Sequence, residues 1–303
     1  MNLLLTEPPR ARSGMKVVRA RDELRALLAS ERAAGRTIGL VPTMGFLHDG
    51  HLSLLRAARA DCDVVVMSLF VNPTQFGPGE DLERYPRDEE RDAELAAEQG
   101  VDLIYAPAVE EVYPTGFSTE VGVRGLSEVL CGDPERRGPD HFRGVTTVVA
   151  KLLNTVGPDV AYFGQKDAQQ VAVIRRMVRD LDFPVRIEAL PTVREPDGLA
   201  MSSRNSYLGA EERRRATALS RALCRAEQTA RVSSLADGLK AARDELAAAG
   251  IEPEYLEARD PESLEEVRQL DERPVLIAVA ARVGGARLID NFVLQPTKTP
   301  ASG

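Results

Sequence analysis

Two of the three histidines in this chain, His48 and His51, stand three residues apart in VPTMGFLHDGHLSLL, residues 41–55. Where this stretch leaves an apolar run and enters a helix, free backbone N–H groups and the helix dipole favour an anion. Imidazoles at that spacing lie on one face of the first turn and can donate N–H bonds to phosphate oxygens. Near neutrality they can also exchange a proton as charge moves. Gly45 and Gly50 would let the backbone approach a bulky ligand closely. A zinc pair is one rival reading, although zinc needs three or four protein ligands and no nearby Cys or His supplies them. Two histidines without any role is the other.

Further stretches carry matching chemistry. In FGQKDAQQ (163–170), Gly164 opens a loop, Lys166 projects from an anion-attracting helix start, and Asp167 is the expected N-cap. In DGLAMSSRNSYL (197–208), Ser202 and Ser203 offer hydroxyls, and Arg204 offers a rigid cationic fork suited to phosphate. That segment lies past the last strand of the run, where a mobile element can close over a nucleotide. In FVNPTQFGPGEDLERYPR (70–87), the amides of Asn72 and Gln75 suit the hydroxyl and carboxylate groups of a small polar substrate. The third histidine, His141 in HFRG, precedes an expected helix and is either structural or on the substrate side.

Such groups need a frame, and the hydrophobic pattern describes one. IGLVPTM, VVVMSLFV, VDLIYAP, DVAYFG and VRIEALPTV read as buried strands, with helical patterns before and between them. Strands apolar on both faces and separated by helices indicate a parallel, doubly wound α/β sheet, here running to about Pro191. Ligands of such sheets bind at the carboxyl ends of the strands. Residues 210–250 read as two helices, and PVLIAVAARVGGARLIDNFVL as a hairpin around Gly284-Gly285. The expected fold is thus α/β, a Rossmann-like domain at 1–191 followed by a smaller α+β domain at 192–303. The tail PTKTPASG is expected to be disordered.

Bulk properties narrow the partners. A net charge of −8 repels phosphate polymers, so nucleic acid is not an expected partner, although a local cationic cluster still suits a small anion. Cys62, Cys131 and Cys224 are odd in number and widely spaced, which suits a reducing cytoplasm rather than a disulfide framework. The apolar run near the N-terminus is too short for a signal-peptide core, and no run suggests a membrane span.

The motifs PTMGFLHDGH, FVNPTQF, ERYPR, HFRGVTTVVAKLLN, FGQKDAQQ, PTVREPDGLAMSSRNSYL and RLIDN, in this order, closely resemble the pantothenate synthetase family, from about Met15 to Leu294. HDGH is similar to the HIGH signature of nucleotidyl-transferring enzymes, and MSSR resembles their mobile KMSKS-type loop. The resemblance implies an ATP-dependent ligase that joins (R)-pantoate to β-alanine. Pantoate is first activated as an acyl-adenylate with loss of pyrophosphate, and the amine then displaces AMP. It further implies that Met44, Gly45, Phe46, Leu47, His48, Asp49, Gly50 and His51 form the ATP loop, with His51 catalytic and His48 assisting. Gly164, Gln165, Lys166 and Asp167, with Met201, Ser202, Ser203 and Arg204, would hold ATP too, Lys166 and Arg204 sharing in catalysis and Val193 lying near the adenine. Gln75, Gln170 and Asn72 would bind pantoate, with Gln75 also close to β-alanine. Mg²⁺ would ride on the ATP phosphates without dedicated protein ligands. A cytoplasmic homodimer built on the larger domain is the expected assembly. The loop LCGDPERRGPDHFRG is longer than the family's usual one, so Arg136 and Arg137 take no role from the resemblance.

Other functions leave distinct signs. A related nucleotidylyltransferase would stop at a stable adenylylated product, and a nucleotide sensor would bind ATP without turnover. A Rossmann oxidoreductase is disfavoured because no G-x-G-x-x-G follows the first strand of the βαβ run.

Overall fold

A computed structural model describes residues 14–296. The strands are β1 (Lys16–Val18), β2 (Ile38–Thr43), β3 (Val64–Leu69), β4 (Leu103–Tyr105), β5 (Val160–Gly164), β6 (Arg186–Leu190), β7 (Pro253–Arg259), β8 (Val275–Val283) and β9 (Ala286–Leu294). The helices are α1 (Arg21–Ala33), α2 (Asp49–Asp61), α3 (Glu89–Glu98), α4 (Val109–Val112), α5 (Pro139–Val156), α6 (Ala168–Asp180), α7 (Ala210–Ala216), α8 (Ala218–Val232) and α9 (Leu235–Ala248). The tail expected to be disordered lies, from residue 297, outside the described residues.

Strands β1 to β6 form one sheet in the order β1-β4-β3-β2-β5-β6. Every pairing in it is parallel. Alternate strand residues bury on opposite faces. Leu40, Val66 and Phe163 pack with α1, α5 and α6, whereas Val41, Met67 and Tyr162 pack with α2 and α3. Two covered faces explain why these strands read as unbroken apolar runs. The strand order reverses between β2 and β5, and this is the switch point where a crevice opens. Their pairing ends at Leu40, and Pro42, which has no N–H to give a ladder, stands beyond it.

Strands β7, β8 and β9 form an antiparallel sheet, with Val283 opposite Ala286 across the expected Gly284-Gly285 turn. One face of β8 packs on α8 and α9 through Val275, Ile277 and Val279. The other face, with Leu276, Ala278 and Ala280, rests on Phe142 of α5 and on Ala172 and Val173 of α6. Burial on both sides accounts for an antiparallel strand without alternation.

Three readings need correction. Residues 210–250 hold three helices, because α7 stops one residue before α8 begins. Helix α5 starts at Pro139, a proline at the first helical position, so His141 lies inside its first turn rather than before it. The edge strand β1, only three residues long, carried too little periodicity to be read. Among the described residues, no helix is long and apolar enough to cross a membrane.

Candidate active site

The switch point brings together the loop after β2 and the loop after β5. The first runs through left-handed backbone at Gly45 (φ +86°) and Phe46 (φ +51°) before entering α2. A Cβ on Gly45 would meet Leu69 at 2.8 Å and Asp92 Oδ2 at 2.9 Å, so this glycine clears its own protein rather than a ligand. Gly50 likewise makes room for the His48 ring, 2.8 Å from where its Cβ would stand.

His48 is the N-cap of α2. Its Nδ1 accepts the Gly50 N–H at 3.1 Å, while His51 Nδ1 accepts the His48 N–H at 3.3 Å. A ring nitrogen that accepts cannot carry the proton, so both neutral rings are protonated at Nε2. Neither Nε2 has a protein partner among the described residues, and the ring centroids lie 4.1 Å apart. Burial, then the nearby Lys166 charge, lowers His48 to about 4. His51 is also driven well below the usual histidine range, by burial first and then by His48 and Lys166. The expectation of imidazoles titrating near neutrality is therefore overturned. These rings are fixed neutral donors.

From the other loop, Lys166 Nζ donates to the Met201 carbonyl at 3.2 Å and stands 3.9 Å from Asp167 Oδ2. Asp167 occupies the N-cap position of α6, but its side chain caps nothing, contrary to expectation. The third segment is anchored where Met201 N–H donates to Val193 O at 3.0 Å and Ser203 Oγ reaches Phe46 O at 3.4 Å. Ser202 caps its own turn by accepting from Arg204 N–H. The Arg204 fork is occupied: Nε and Nη2 donate to Asp81 at 2.9 and 3.0 Å, and the guanidinium lies over Tyr85.

On the amide side, Asn72 is 1% exposed. Its Nδ2 donates to Gly144 O and Gln75 Oε1, each at 3.1 Å, and its Oδ1 accepts from Thr74 and Tyr113. Asn72 borders the cavity with its amide already saturated by protein, and it orients Gln75. Among the described residues, Gln75 Nε2 donates only to Met44 Sδ at 3.3 Å, a weak acceptor. Gln170 makes no hydrogen bond to protein among the described residues and faces the crevice. Because Arg137 can only donate to His141 Nε2 (3.1 Å), His141 carries its proton on Nδ1 and donates it to Gln75 O at 2.7 Å. Burial and the Arg137 charge lower it to about 3. His141 is thus a support beneath Gln75.

A cavity of about 230 Å³ is lined by Met44, both paired histidines, Gln75, Lys166 and Gln170. Gly164, Val193, Met201, Ser202, Ser203 and Arg204 border it too. It adjoins a cleft of about 780 Å³ that also meets β8 and β9, and Lys166, Gln170 and Arg204 border both. Of the candidate residues, Gly45, Phe46, Leu47, Asp49 and Gln165 line neither space. Leu47 is a core residue, Asp49 is exposed, and the Gln165 carbonyl instead accepts from Asn291 of β9 at 2.9 Å.

Sequence reading missed the carboxylates. Asp81 and Glu80 pair with Arg204 and Arg137, and Asp92 binds the histidine loop from behind. Only Asp92 left a signal, an acid four residues before the buried Ala96 on the inward stripe of α3.

A family model for Pantoate-beta-alanine ligase matches residues 16–293. The pantothenate synthetase of Moorella thermoacetica is 54% identical over 284 residues, covering 93% of this chain and 99% of the relative. That of Acetivibrio thermocellus is 50% identical over 285 residues, with 93% and 100% covered. The crystal structure of pantothenate synthetase from Thermus thermophilus superposes with a TM-score of 0.87 at 49% identity, covering 93% of this chain and 100% of that one. A pantoate-beta-alanine ligase from Francisella tularensis, complexed with beta-gamma ATP and beta-alanine, gives 0.77 at 32%, with 92% and 98% covered.

Proposed function

The chain belongs to the pantoate–β-alanine ligase family, and from that premise we propose how its crevice works. The enzyme condenses pantoate with β-alanine using ATP, through a pantoyl-adenylate, releasing pyrophosphate and AMP. ATP lies along the loops after β2 and β5, its adenine near Val193 and its phosphates toward His48, His51 and Lys166. Mg²⁺ arrives as part of the nucleotide substrate. Gln75 and Gln170 hold pantoate, and Gln75 stands close to β-alanine as well.

The observation that carries this reading is the convergence of two unpartnered Nε2–H donors and one ammonium on a small cavity with two available amides. When a pantoate carboxylate oxygen attacks the α-phosphorus, charge builds on the equatorial phosphate oxygens. Donors aimed there in advance stabilise that charge without reorganising, and each is worth about 3–4 kcal/mol. The β-alanine amine then attacks the acyl carbon, the acyl–phosphate oxygen bond breaks, and AMP leaves. A neutral imidazole serves both steps because it donates without repelling Lys166.

The same proposal treats residues 1–191 as the ATP- and pantoate-binding domain and 192–303 as its lid, and takes a cytoplasmic homodimer as the working form. Steady-state release of AMP tests it, with pantoate, β-alanine, ATP or Mg²⁺ omitted in turn. AMP must appear only in the complete mixture, and pantoate with ATP and Mg²⁺, without β-alanine, must yield pyrophosphate in amounts matching the enzyme. A stable adenylylated end product would replace the ligase with a nucleotidylyltransferase, and sedimentation tests the dimer.

A further inference from the structure

Helix α3 lends no side chain to the cavity, yet its Arg91–Asp92 pair grips the histidine loop from outside. Asp92 is 1% exposed, and its two carboxylate oxygens each accept one backbone N–H, from Phe46 and from Leu47, both at 2.7 Å. Arg91 donates to the Leu47 carbonyl at 3.2 Å and lies over the Phe46 ring. Left-handed backbone at Phe46 is strained for a residue with a side chain and persists only where its surroundings hold it. A buried acid on an apolar helix face is itself unfavourable unless its oxygens are used. Here both are, on the residues leading directly into His48.

We propose that Asp92 is a positioning residue for the reaction: by clamping Phe46 and Leu47 it sets the N-cap of α2, and so the rings of His48 and His51. The inference rests on the ligase reading for its kinetic consequence but not for its geometry. Burial raises the Asp92 carboxyl, and the two N–H groups oppose that shift. The chain that results has a fixed order. Asp92 holds the loop, the loop holds the cap, and the cap fixes the tautomer of two rings.

With three histidines in the chain, ring-¹⁵N spectra of histidine-labelled protein read this directly. The parent enzyme must show two rings protonated at Nε2 (His48, His51) and one at Nδ1 (His141). Asp92→Asn offers one acceptor oxygen where two N–H groups point. It is expected to shift or broaden the two Nε2–H signals, leave His141 in place, and lower kcat for AMP release about 10²-fold, the usual reach of an ångström of misplacement. Parent-like signals for His48 and His51 overturn the inference whether or not kcat falls. Should Asp92→Asn lose all three signatures through unfolding, Asp92→Ser decides instead. It removes both carboxylate oxygens together with the cost of burying an acid, and unmoved His48 and His51 signals there overturn the inference equally. A parent enzyme that releases no AMP refutes the ligase reading, while the spectra still test the clamp.

Discussion

Along the carboxyl edge of the sheet two neutral rings hold Nε2–H donors that have no protein partner among the described residues, whereas the guanidiniums bordering the same cavity, Arg137 and Arg204, are already paired. His48 and His51 keep Nε2–H free. Arg204 is engaged by Asp81, and Arg137 by Glu80, at 2.9 and 2.7 Å, both carboxylates sitting on the same loop. The difference follows from charge. An imidazole avoids the penalty of burial by giving up its proton, and a neutral donor can wait unpaired with a modest penalty. A guanidinium cannot deprotonate, so burying it without a counter-ion is prohibitive. Burial pushes Asp81 up, but the hydrogen bonds and charge of Arg204 outweigh it and hold the carboxyl below its ordinary range. One wall of the site therefore presents free donors, and the other presents cations already matched to carboxylates.

The largest effect that can break this contrast lies on the wall of free donors. His51→Ala removes a fixed donor and leaves the His48 N–H without its acceptor. A fall in kcat of about 10²–10³-fold is expected, with the fold retained by circular dichroism. Activity within a few-fold of the parent would show that the unpartnered rings are not the donors.

The next effect concerns why the rings are neutral. His48 is lowered to about 4 in the fold, against 6.5 for a free histidine, so the unfolded chain binds more protons between those values. Stability from this group is complete above pH 6.5 and is lost as pH falls through 6.5 toward 4. His48 alone should remove about 2 kcal/mol between pH 7 and pH 5, with His51 and His141 adding in the same direction. Denaturant unfolding at the two pH values measures it, and His48→Asn should lessen the dependence by the share of His48 while His51 and His141 keep theirs. A flat profile in the parent would mean the rings are solvated. The carboxylates paired with arginine act in a lower window, so the two walls separate on the pH axis.

How much of this was legible beforehand follows the same divide. The parallel sheet and the strand-end loops bearing His48, His51 and Lys166 were readable, because apolar runs fix strands and strand ends fix the loops that follow; the strand order that makes a switch point was not. The cap that turns both rings outward was not, since it depends on φ angles at Gly45 and Phe46 that no pattern reports. Asn72 read as a substrate group because an amide in a loop looks free, and only three-dimensional accounting reveals that its donors and acceptor are filled. Asp81 and Glu80 were hidden for a related reason. In GEDLERYPR they look like a solvated acidic turn, and their arginine partners come from 123 and 57 residues away.

The smallest effect sharpens the contrast most. Asp81→Asn keeps the shape of the contact but removes the counter-charge from Arg204, whose side chain remains 26% exposed beside a 13% exposed partner. If Asp81 competes with the polyphosphate for the guanidinium fork, its neutral substitute should lower the KM for ATP while leaving the chemical step nearly untouched. A partly exposed pair of this kind contributes about 0.5–1 kcal/mol, which limits the gain to roughly twofold to fivefold. A partly buried arginine without a counter-ion also costs stability, so a modest fall in Tm should accompany the tighter binding. Steady-state kinetics at varied ATP, with pantoate and β-alanine saturating, separates the outcomes. An unchanged or higher KM would mean that Asp81 aims Arg204 at the nucleotide instead of competing for it, and both walls of the cleft would then be preorganised.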